Sequence, residues 1–155
     1  MKKSIFYFAF AALILTYSCQ DDDIGVPVVP TPVVSQQDLL SQNTWKVSSV
    51  IANGSDIWGT FLVSDCYKDN EYFFRRDNRL AIYDKASKCD MADPDSVINN
   101  YELIAGKNKI YMDISLAGSF NIKDTTDIIV LNETTLTVDA EYSGIPAKLT
   151  FTKKP

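Results

Sequence analysis

Leu136-Thr137-Val138-Asp139-Ala140-Glu141-Tyr142 alternates apolar and polar residues without a break. A period of two fits a strand with one face in a core and the other in water, and it cannot form a helical stripe. Ser143-Gly144-Ile145-Pro146 reads as a turn; Leu149 and Phe151 then resume the pattern and Lys153-Lys154 stops it. The same signals run back through the chain. Residues 128–131 form a short apolar run ended by Asn132-Glu133, and Phe120 and Ile122 follow Gly118. Ile110, Met112 and Ile114 alternate with Tyr111, Asp113 and Ser115 after a turn at Gly106-Lys107-Asn108. Tyr101 and Leu103 mark another strand. Leu80 and Ile82 follow a turn at Asp77-Asn78, Tyr72-Phe73-Phe74 is a compact aromatic run, and Trp45, Val47 and Ser49 alternate with Lys46 and Ser48. Only residues 35–41, with a capping serine, an acid in the first turn and the pair Leu39-Leu40, read as helix.

About eight or nine short strands, spaced roughly ten residues apart, predict an all-β meander that closes on itself or folds into a sandwich. Closure removes the two open edges of a long sheet. The expected fold is a small antiparallel meander barrel of about eight strands over residues 36–155, opened by one short N-terminal helix. With 155 residues and 46% hydrophobic content, including 8 Tyr, 8 Phe and 2 Trp, the chain can build one core.

Composition excludes several function classes. Twenty acidic residues against 15 basic leave a net charge of −5, the wrong sign for gripping a nucleic-acid backbone. There is no histidine, which removes Ser-His and Cys-His catalysis and the commonest zinc ligand. No glycine-rich phosphate loop is present. Asp90, Asp93 and Asp95 gather around Pro94 but lack the spacing and the glycine of a calcium loop, and read as a solvated turn. No catalytic activity, cofactor or metal is expected.

Residues 1–18 have the make-up of a secretory signal: Lys2-Lys3, then an uncharged apolar run over 4–17 that is too short to span about 30 Å of hydrocarbon. Thr16-Tyr17-Ser18-Cys19 resembles a bacterial lipobox, which implies cleavage before Cys19 and a diacylglycerol on its sulfur, making outer-membrane lipid a partner. Gln20-Asp21-Asp22-Asp23 resembles the acidic export signal of Bacteroidetes lipoproteins, which implies display at the outer face of the outer membrane. Pro27, Pro30 and Pro32 make residues 19–35 an acidic, proline-rich linker of extended character. Outside the cytoplasm, the remaining pair Cys66 and Cys89 reads as a disulfide around a hairpin. A metal pair would need more ligands, and a reactive thiol an activating base.

Helix, Trp45, then Cys66-Tyr67-Lys68-Asp69 running into Phe73 and Phe74, then Cys89, is an order that resembles the lipocalin-like lipoproteins of Bacteroidetes. The likeness spans roughly residues 39–153; the glycine expected two residues before the Trp is Asn43 here. It implies a secreted, lipocalin-like barrel, and a barrel offers an apolar mouth or interior for a ligand. The inward candidates for a small apolar or glycan ligand are Trp45, Phe74, Met112, Phe120 and Tyr142, each of which could equally be core filling. Trp58 sits in a polar loop, where its ring could stack on a ligand or plug the barrel's end. Ser96 and Thr125 follow aspartates in short stretches resembling Bacteroidetes O-glycosylation sequons. The other expectation is an accessory subunit with a filled barrel that contacts a partner protein.

Overall fold

The structure, a computed structural model, describes residues 34–116, 120–122, 125–142 and 144–155. Helix α1 (Gln36–Ser41) is followed by strands β1 (Thr44–Ala52), β2 (Ser55–Asp56), β3 (Glu71–Phe74), β4 (Arg79–Tyr83) and β5 (Ser96–Leu103). Then come β6 (Lys109–Met112), β7 (Ile114–Leu116), β8 (Phe120–Ile122), β9 (Thr125–Leu131), β10 (Thr135–Tyr142) and β11 (Ile145–Lys153). Strands β1, β3, β4, β5, β6, β9, β10 and β11 pair in that order, all antiparallel, and β11 pairs back onto β1. The result is a closed eight-stranded barrel, as the alternation predicts. Strand β2 hangs on β1 as a hairpin, and the β7–β8 hairpin attaches through the backbone pair Tyr142↔Phe120.

The lumen is packed. Phe74 on β3 meets Phe151 on β11 with ring centroids 6.5 Å apart, although β1 lies between those strands. It also meets Tyr101 on β5 at 5.0 Å, across β4. Edge-to-face contacts that skip a strand must cross the interior, so these rings fill it. Trp45, Leu80, Ile110, Met112, Leu136, Val138 and Leu149 complete the fully buried cluster.

Three local readings change. The expected alternation of Trp45, Val47 and Ser49 breaks at a register shift between Val47 and Ser49. This bulge turns Val50 and Ala52 inward instead, and sends Ser49 out to donate to Asp56 Oδ2 at 2.8 Å. The single strand expected through Ile110, Met112 and Ile114 divides at Asp113, where β6 stays in the ring and β7 leaves it. The turn expected over residues 143–146 is shorter: Tyr142 already pairs Ile145, with Gly144 at φ 80°, so Pro146 lies within β11. Pro146 is tolerated there because pairing to β1 starts only at Ala147.

The register separates the two ends. One holds the starts of β1 and β4 and the ends of β3 and β11, and α1 closes it. Ser35 caps the helix by accepting from the Asp38 N–H at 3.0 Å. Trp45 Nε1 donates to the Leu40 carbonyl at 2.9 Å, and buried Asn43 donates to Glu133 O at 3.1 Å. Tyr101 donates to Arg75 O at 2.7 Å and accepts from Gln37, tying helix to wall. The opposite end is formed by loops.

Candidate functional site

At that opposite end a cleft of about 230 Å³ is lined by Tyr67, Asn70, Ile82, Asp84, Asp93, Pro94, Val97 and Asn99. Three of these face inward from the ring. Ile82 lies opposite Tyr72 on one side and Val97 on the other, and Asn99 lies opposite buried Leu80. The rest come from loops. Glu71 pairs Tyr83, so Asn70 and Asp84 are the next residues outward on neighbouring strands. Three further depressions of 400–510 Å³ lie on the outer surface and are more open to solvent.

The Cys66–Cys89 disulfide, with Cα atoms 5.1 Å apart, joins the segment before β3 to the loop before β5. Tyr67 and the Asp93-Pro94 pair therefore belong to walls that are covalently stapled. Asp69 reinforces the staple, since its Oδ2 accepts from the N–H groups of Ala86 at 2.7 Å and Ser87 at 3.1 Å. Lys88 bridges the same loop, pairing with Asp95 at 2.6 Å and donating to Asp93 O at 2.8 Å. The Asp95 carboxylate holds the Lys88 pKa above its ordinary value, and Lys88 holds that of Asp95 below.

The polar groups around the cleft are incompletely satisfied. Asn70 Oδ1 and Asp84 Oδ1 are buried without a hydrogen-bond partner. Tyr72 is fully buried, which pushes its pKa far up, and the adjacent Asn70 side chain opposes that shift. Asn99, by contrast, donates its amide to Asp113 O at 2.8 Å. Buried polar atoms without partners are few in a folded protein and mark positions where another molecule can complete the bonding. No protein-family model matches this chain, and no curated protein matches it.

Of the predicted contact residues, the four whose side chains are described do not line this cleft. Trp45, Phe74 and Met112 are fully buried in the packed lumen. Trp58 is buried too, as part of the core cluster, and its backbone N–H donates to Asp56 Oδ1 at 2.9 Å. The backbones of Phe120 and Tyr142 pair with each other, and their side chains lie outside the described residues. Cys19, the signal segment and residues 19–33 of the linker also lie outside them. Ser96 and Thr125 are exposed at the starts of β5 and β9. Among the described residues, no three acidic or cysteine side chains gather as a metal site. Asp90 instead accepts from the Ala92 N–H at 2.9 Å, shaping the turn. The sequence reading missed Asn70, Asp84 and Asn99. The one available signal was register, since a hairpin over residues 71–83 puts Asn70 beside Asp84.

Proposed function

We propose that this chain is a lipid-anchored lipoprotein of the outer membrane, displayed at the cell surface, whose lipocalin-like barrel acts as a non-catalytic binding module. Its ligand is small, of the size of one sugar unit, and seats in the cleft beside the disulfide. The observation that carries this reading is the pair of unpartnered buried acceptors, Asn70 Oδ1 and Asp84 Oδ1, in a hollow walled by Tyr67, Ile82, Pro94 and Val97. Apolar walls with a few convergent polar groups are the usual make-up of a small-molecule site. The bare acceptors favour a hydroxyl- or amine-bearing ligand over a purely apolar one, which would leave them unbonded. The anchor rests on the lipobox-like residues ending at Cys19 and the acidic run after it.

The test is a glycan and metabolite panel titrated against the full chain and against Val97→Trp, which fills the cleft. A ligand bound by the first and lost by the second supports the reading. A ligand retained by both refutes the location. Incorporation of labelled fatty acid that persists in Cys19→Ala would refute the anchor, and full protection from protease on intact cells would refute surface display.

A second reading, an accessory subunit with a filled barrel, draws on two observations. The lumen is packed, and Phe61 and Met91 are exposed at 96% and 87% of their surfaces, five and two residues from the disulfide cysteines. Phe61→Ser disabling the protein in cells while Val97→Trp leaves it working would favour this reading.

A further inference from the structure

Building on the cleft as a binding site, we infer that its ligand carries a protonated amine. The lining carries two carboxylates, Asp84 and Asp93, beside the amides of Asn70 and Asn99. Asn70 Oδ1 and Asp84 Oδ1 are buried and bare, and Asp93 adds a second carboxylate. Asn99 uses one amide hydrogen on Asp113 O at 2.8 Å.

Among the described residues, no lysine or arginine lines the cleft. Lys88 stands nearest in charge, facing Asp84, Asp93 and Asp95, but its ammonium is engaged at 2.6 Å with Asp95 and bonded to the Asp93 carbonyl. Lys85, next to Asp84 in sequence, pairs with Glu71 at 3.2 Å. Asp84 and Asp93 thus share with Asp95 a cation that is already engaged, and among the described residues no other cation lines the cleft.

An ammonium group supplies three donors and no acceptor, the complement of this lining. A hydroxyl supplies a single donor and no charge to set against the two carboxylates. The Tyr67 ring adds a face on which a cation can rest, and Ile82, Pro94 and Val97 receive the carbon skeleton. The volume of about 230 Å³ restricts the ligand to one small amine, an amino sugar, or the amine-bearing end of a longer molecule.

Matched probes separate charge from shape: glucosamine against N-acetylglucosamine, and n-butylamine against n-butanol. The full chain, in a sugar-free non-ionic detergent, is titrated while the methyl signals of Ile82 and Val97 are followed by NMR. The ammonium member of each pair should bind at least about tenfold tighter at low salt, and the gap should narrow at high salt. Asp84→Asn, which keeps the shape, should erase most of the preference, and Asp93→Asn should reduce it. Equal binding of charged and neutral members at these methyls would overturn the inference and leave the cleft as a site. Binding of no probe at these methyls would overturn both.

Discussion

Glu71→Gln isolates the contribution of a single carboxylate. The Glu71 side chain is only 10% exposed, yet ammonium groups reach it from three elements: Lys154 at 2.6 Å, Lys85 at 3.2 Å and Lys46 at 3.9 Å. Burial alone would raise its pKa, but hydrogen bonds from Lys154 and Lys85 outweigh burial and hold it below the ordinary value. Glutamine keeps the volume and removes the charge. The three lysines are each more than a third exposed and can turn back to water, so no cation is stranded. The loss is then two charge-assisted hydrogen bonds, which solvent screening reduces to about 2 kcal/mol together. A carboxylate with a depressed folded pKa stabilises above its unfolded value of about 4.3, and that contribution disappears as pH falls through the folded value. Urea unfolding of the full chain and the variant should differ by about 2 kcal/mol at pH 7 and by much less near pH 2.5. A penalty that is as large in acid as at neutrality would show that shape, not charge, matters at this position. A difference under about 0.5 kcal/mol at pH 7 would refute the convergence as a stabilising feature.

Replacing Cys66 and Cys89 together by serine releases a crosslink spanning 23 positions and should lower unfolding free energy by about 3 kcal/mol, read from denaturant midpoints. Trp45→Phe removes the donor to Leu40 O at the end of α1 and should cost about 1–3 kcal/mol, with the helix end losing amide-exchange protection before the ring strands do. Gly144→Ala should cost about 1 kcal/mol through its φ of +80° alone, since no atom obstructs a Cβ there; Gly59→Ala, equally open and with no positive φ, should be neutral.

Alternation in the sequence reports which side chains share a face and says nothing of how far the opposite wall stands. Trp45, Phe74 and Met112 were therefore legible as inward, while their contacts across the lumen were not. Ser35 as a cap and the cysteine pair were legible because capping chemistry and parity are local signals. The first half of β5 was hidden: Ser96 to Asn99 carries little burial because it flanks the cleft, so no apolar alternation marks it. The Asn53-Gly54 dipeptide, with φ values of 52° and 79°, is the hairpin signal that makes β2, although the polar residues around it read as loop. The cleft was illegible for a related reason. Its polar residues sit one step beyond strand ends, where each alone reads as solvated turn, and only pairing brings them side by side.

The seam between β1 and β11 joins the opening strand of the ring to its final one, across roughly a hundred intervening residues. Closing so long a span comes late, after the neighbouring hairpins have zipped, and gives the chain a slow folding topology. Until the nine residues of β11 are in place, β1 and β10 each present a bare rung of amides and carbonyls. A nascent or clipped chain is in that sense an open ribbon, with two sticky margins where the finished molecule has none.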